Sequence, residues 1–164
     1  MGSVLRGLSR VPWGSLQDAR GPAGEIPAFL SKVAWADGEA ASAAVEELGE
    51  RLCSLGFVVA EATAPAVPFL VELAGAPHVS SAGELVELLH RIAVTRQWSE
   101  TAAAGGPRHA GTYVRQIGWE ADARAAVGAG RPVYEQLAAG GDPAVARAAR
   151  QLLEALDRQE ESTD

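Results

Sequence analysis

Histidines, cysteines and clustered carboxylates are the side chains through which this chain could do chemistry, and their spacing decides whether it can. The three histidines are His78, His90 and His109; no two stand three or four apart, so no helix offers a histidine pair to a metal. His90 falls between Leu89 and Arg91 and reads as a rim residue rather than a base, and His109 as solvated loop. Cys53 is the single cysteine, which excludes an internal disulfide and a zinc site built on cysteines. It shares an expected helix with Leu52 and Leu55 and reads as a small hydrophobe. A reactive thiol needs a neighbouring base or cation, and Arg51 projects from another side of that helix. There is no G-x-S-x-G, P-loop or G-x-G-x-x-G; Gly128-Ala129-Gly130 follows no strand and has Val133 where a third glycine belongs, so it reads as a helix break. The expectation is no catalytic residue, no cofactor and no metal.

What remains is a binding surface. Glu46, Glu47, Glu50, Glu84 and Glu87 lie off the apolar stripes of two expected helices, where they are either a solvated face or an acidic ridge for a basic partner. Residues 37–99 hold nine acids against three arginines, a charge of −6, while residues 1–36 sum to +2. Tryptophans 13, 35, 98 and 119 are placed in loops or at helix ends, as packing residues or, for Trp98 and Trp119, as interface anchors. Arg147 and Arg150 form the only basic helical ridge. The candidate partner contacts are therefore Glu47, Glu50, Glu84, Glu87, Arg91, Trp98, Trp119, Arg147 and Arg150.

These side chains must be positioned by helices. Alanine, the best helix former, makes up 33 of 164 residues, aromatics are only 5%, and no alternating Val/Ile/Thr runs suggest strands. Apolar residues recur at three and four over residues 37–55, 63–74 and 81–95, with further helices expected from Ile26, near Trp119, over 132–137 and over 142–158. Asp37 and Asp142 are placed to cap helices, Asp142 with Pro143 behind it. Ser81-Ala82-Gly83-Glu84 reads as a capping box. Pro68 inside a helix would cost about 3 kcal/mol, so a start near Pro65 or a kink is expected there. Residues 99–118 break the rhythm, with Ala102-Ala103-Ala104-Gly105-Gly106-Pro107 at their centre, and read as a loop insertion. The net charge of −7 opposes nucleic acid and anionic membrane, and no apolar run approaches the ~18 residues of a membrane span. No signal-peptide core stands at the start, so the expected compartment is the cytoplasm. Arginine outnumbers lysine 13 to 1, a bias that fits a GC-rich genome, so the arginines are discounted as phosphate contacts.

Laid over one another, the helices show a period. Ile26-Pro27-x-Phe29-Leu30 aligns with Val67-Pro68-x-Leu70-Val71 at an offset of 41, and Arg131-Pro132-x-Tyr134 follows 64 residues after that. A two-helix unit of about 40–47 residues falls in the HEAT/armadillo range. Gly141-Asp142-Pro143-Ala144-Val145-Ala146-Arg147-Ala148-Ala149 resembles the HEAT D-P-x-V-R-x-x-A turn and second helix, with the arginine one place late. Pro68 matches the proline of HEAT first helices, and residues 61–70 resemble a stretch of Ala-rich bacterial HEAT-like proteins. The turn at residues 76–81 lacks the Asp and Arg of the pattern. The resemblance implies an all-α fold, an α-solenoid (HEAT/armadillo-like) of about three helix pairs plus an extra helix near residue 119, whose second helices line a concave, partner-binding side. The organisation then reads as an N-terminal lead or cap at 1–21, the solenoid at 22–158 with its insertion, and a frayed polar tail at 159–164. The implied function is a non-enzymatic scaffold or adaptor docking a protein, such as a basic enzyme covered by an immunity- or antitoxin-like partner. The rival is a HEAT-like DNA glycosylase, which the acidic charge disfavours.

Overall fold

The computed structural model describes residues 4–109 and 111–163. It is all-helical apart from two very short strand pairs. In chain order the elements are β1 (Gln17–Asp18), β2 (Gly21–Pro22), α1 (Ile26–Trp35), α2 (Gly38–Leu52), β3 (Cys53–Ser54), β4 (Val58–Val59), α3 (Thr63–Gly75), α4 (Ala82–Val94), α5 (Gln97–Ala104), α6 (Val114–Gly128), α7 (Arg131–Ala138) and α8 (Pro143–Thr163). Both strand pairs are antiparallel, Gln17 opposite Pro22 and Cys53 opposite Val59. Helix α1 packs on α2, α3 on α4 and α7 on α8; α4 also lies against α8 and, more lightly, α2. Helix α6 rests on α3 and α4, and α5 rests on α6.

The expected caps hold at two helices. Asp37 Oδ1 accepts from Ala40 N at 3.1 Å, and Asp142 Oδ1 accepts from Ala144 N at 3.0 Å and Val145 N at 3.3 Å. Each satisfies N–H groups that a first turn leaves without partners. Leu48, Leu52, Leu70, Leu73, Leu85, Leu88, Leu89, Ile92 and Leu152 are fully buried in one continuous core, each worth about 1.5–3 kcal/mol on burial. The break at 128–130 is where α6 ends and α7 begins, and Gly130 is needed there by close approach. A Cβ at that position would lie 2.5 Å from Tyr134 Oη, which is itself fixed by a 2.7 Å hydrogen bond to the Val127 carbonyl.

Several expectations are corrected. Residues 99–118 are not a loop: α5, a 3₁₀ turn (Pro107–His109) and the start of α6 occupy most of them. The alanine run that hid any periodicity is itself a good helix former, and α5 buries no residue that could have marked a stripe. Helix α6 begins at Val114, so Trp119 stands inside it rather than at its end. Over the described part of the tail α8 continues to Thr163, with Gln159 Nε2 donating to the Ala93 carbonyl at 2.6 Å; Asp164 lies outside the described residues. Helix α2 stops at Leu52, because Cys53 enters a hairpin whose tip puts Leu55 at φ 58 and Gly56 at φ 84; Leu55 is therefore 77% exposed instead of on the core stripe. Ser81 makes no capping bond, and its buried hydroxyl has no partner among the described residues, while Glu84 is drawn away to accept from Ser42 Oγ at 2.8 Å. Helix α3 does start at Thr63, where its stripe placed it, so the start is not delayed to Pro65, and Pro68 sits inside it with no N–H to give the Ala64 carbonyl.

Residues 4–21 of the lead pack against the helices; residues 1–3 lie outside the described residues. Trp13 is buried, its indole N–H donates to the Leu8 carbonyl at 2.8 Å, and its ring lies 6.1 Å from that of Phe69. Main-chain bonds from Ala19 N to Arg51 O and from Ala62 N to Gln17 O, both 2.9 Å, stitch the cap to the end of α2 and the start of α3.

Candidate partner-binding face

Helices α2 and α4 lie side by side. A Cβ at Gly49 would sit 3.8 Å from Leu88 Cδ1 and 3.7 Å from Arg91 Nη2, and Ser42 bonds Glu84 across the same seam. The small residues Ser42 and Gly49, seven apart and so on one side of α2, allow the approach. The outward strip of α2 then carries Glu39, Glu46 and Glu50, and that of α4 carries Glu84, Glu87 and Arg91, all exposed. Glu50, Glu84, Glu87 and Arg91 are thus brought together.

Glu47 is not part of this strip. It points to the other flank of α2, where its Oε1 accepts from Arg51 Nε at 3.1 Å and pairs with Arg20 Nη1 at 2.9 Å. Arg51 is the centre of a buried ionic cluster: Nη2 lies 2.6 Å from Glu25 Oε2 and Nη1 3.3 Å from Asp18 Oδ2, and its guanidinium stands 5.1 Å from the Phe29 ring centroid. Burial works against its charge, but hydrogen bonds and attraction from Asp18, Glu47 and Glu25 more than offset it and hold the guanidinium above its ordinary pKa. The Glu47–Arg51 spacing of four residues was visible in the sequence; Asp18 and Glu25 had no local signal.

Trp98 and Trp119 form a separate cluster. Their rings meet edge to face at 6.5 Å, Tyr113 lies 5.7 Å from Trp98, and the Trp98 indole N–H donates to the Val59 carbonyl at 3.0 Å. Both are half-buried, so they join α5 to α6 and β4. Beside them sits a residue that sequence reasoning missed. Glu120 is fully buried, and its carboxylate accepts from Trp98 N (2.8 Å), Ser99 N (3.1 Å) and Ser99 Oγ (2.7 Å). It caps the first turn of α5 from more than 20 residues away in sequence, which no local pattern announces.

Arg147 and Arg150 are exposed on α8, with Arg150 Nη1 donating to the Ala138 carbonyl at 3.3 Å. Trp35 does not pack inward: it is 64% exposed and stacks on His78 at 4.9 Å, ring planes 21° apart. His90 is half-buried, and burial, with help from the charge of Arg158, holds its imidazole below the ordinary value. Cys53 is buried; burial pushes its thiol up to about 11, against a smaller downward pull from Arg91. At neutral pH such a thiol is almost wholly protonated and a poor nucleophile. Among the described residues no three His, Cys, Asp or Glu side chains are grouped to hold a metal ion, and no helix is long and apolar enough to cross a membrane.

Compared with known protein families, curated proteins and solved structures, the chain matches none. Fold and surface define an all-α protein with an acidic two-helix strip.

Proposed function

We propose that this chain is a HEAT-like α-solenoid that acts as a non-enzymatic scaffold, docking a basic protein partner on the exposed strip of α2 and α4. The pairing of α1 with α2, α3 with α4 and α7 with α8 supports the solenoid reading, as do the lateral contacts of α1 with α3, α3 with α7, α2 with α4 and α4 with α8. In such a stack the second helices line the inner side. The observation that carries the docking site is the alignment of Glu46, Glu50, Glu84 and Glu87 on adjacent helices, exposed and, among the described residues, tied only by the Ser42–Glu84 bond. Complementary charge of this kind speeds encounter and selects the partner. A narrower form of the reading is an immunity- or antitoxin-like protein covering a basic enzyme.

Affinity capture from the native host, comparing the chain with its Glu50→Lys/Glu87→Lys variant, tests the site. Both residues are exposed, so the variant keeps its helical circular dichroism. The expected outcome is a partner retained by the parent chain and lost, or captured about tenfold less, by the variant. Equal capture by both overturns the acidic strip as the docking site.

A further inference from the structure

A cleft of about 620 Å³ opens at the other end of the charge scale. The end of α4, the last turns of α6, the first turn of α7 and the C-terminal turns of α8 form its walls. Four of the chain's 13 arginines line it: Arg96, Arg124, Arg131 and Arg158. The one carboxylate in the lining is Glu160. The chain's general preference for arginine over lysine accounts for the residue type at these positions. It does not explain why cations from four separate stretches of an acidic chain converge on one concavity.

Two of the four are already engaged. Arg124 Nη1 donates to the Thr95 carbonyl at 3.1 Å, and Arg131 pairs with Asp157 at 3.0 Å and Glu160 at 3.2 Å. Among the described residues the guanidiniums of Arg96 and Arg158 have no hydrogen bond or ion pair, and both are exposed. Counting Asp157 and Glu160, the cleft keeps a surplus of two positive charges. Like charges gathered in a concave site repel one another and focus field toward an anion. The planar guanidinium fork fits phosphate oxygens two at a time. Val94, Ala155 and Leu156 add an apolar wall, and the volume falls within the ~300–1,000 Å³ of small-molecule sites.

We infer that this cleft binds a small phosphorylated organic molecule, its diphosphate or equivalent dianion held by Arg96 and Arg158 and its apolar part against Val94 and Leu156. A nucleic-acid backbone is the lesser fit, since tracking a strand needs a basic stripe, and this cleft is a local concavity in a chain of net charge −7. The inference stands apart from the docking strip, which lies on other residues.

The test is calorimetric titration of the full chain with inorganic pyrophosphate and with ADP at physiological salt, sulfate serving as reference at matched ionic strength. The expected result is saturable binding of one equivalent, tighter for ADP than for pyrophosphate. Affinity should fall about tenfold or more in Arg96→Ala/Arg158→Ala. It should be unchanged in Arg10→Ala/Arg108→Ala, which removes the same charge from two exposed positions outside the cleft. In the parent chain, amide shifts on adding ADP should concentrate at residues 94–96, 128–131 and 158–163, a readout that requires no variant. Absence of binding, equal weakening in both double variants, or shifts elsewhere would overturn the proposal. So would tighter binding of a single-stranded oligonucleotide, which would make the cleft a nucleic-acid contact.

Discussion

Asp18, Arg51 and Glu120 are the charged side chains buried among the described residues, and Arg51 and Glu120 are satisfied in opposite ways. Arg51, near the N-terminal cap, is surrounded by counter-charges: Asp18 from β1, Glu25 before α1 and Glu47 one turn back on α2. Glu120, in the α5–α6 region, has no cation partner among the described residues; two backbone N–H groups and a hydroxyl at the start of α5 hold it. The first arrangement is a network whose outer members reach water, since the Glu25 side chain is 67% exposed. The second is closed, since Glu120 is fully buried. Removing the charge should therefore cost more where only dipoles hold it, because those dipoles are then buried and unpaired.

The largest effect is expected for Glu120→Ala. Losing the acceptor of three donors and leaving a cavity should cost about 3–5 kcal/mol, read as a fall in urea midpoint with fraying of α5 in hydrogen exchange. Glu120→Gln keeps one acceptor oxygen and should cost about half as much. A loss below about 1 kcal/mol for the alanine variant would refute the dipole account. Next comes Arg51→Met, expected to cost about 2–3 kcal/mol because it leaves the fully buried Asp18 carboxylate without its cation. Adding Asp18→Asn should recover part of that loss, and a double variant less stable than Arg51→Met alone would break the pairing argument. The smallest effect sharpens the contrast with a group that has neither kind of partner. Ser81→Ala should be neutral or stabilise by up to about 1 kcal/mol, since it deletes a buried hydroxyl without a bond. A working capping box would instead make it destabilising by about 1 kcal/mol, so the sign of the change in thermal midpoint separates the two.

Much of the fold was legible because its signals are local. The caps Asp37 and Asp142 act within three residues, and the stripes of α2, α3, α4 and α8 repeat within two turns. The capping box at Ser81 failed because the same side chain was wanted elsewhere: Glu84 reaches Ser42 on α2 rather than back to its own first turn. Helix α5 was invisible because its cap comes from α6. Of the candidate contacts, Glu50, Glu87, Arg91 and Arg147 are left exposed, whereas Glu47 is bound into the Arg51 cluster and Trp98 and Trp119 into an aromatic one. Exposure on an isolated helix could be read from periodicity; what the next helix does with an exposed group could not.

The sequence by itself determined that the chain is helical, where most helices begin and break, and which faces they bury. Those properties follow from propensity, 3.6-residue periodicity and caps, all of which act over a few bonds. Only the tertiary structure decided which acids remain exposed, how a carboxylate came to start a distant helix, and that four arginines face one cleft. Coulomb attraction and hydrogen bonding act through space, and the distances that govern them do not exist until the helices have packed.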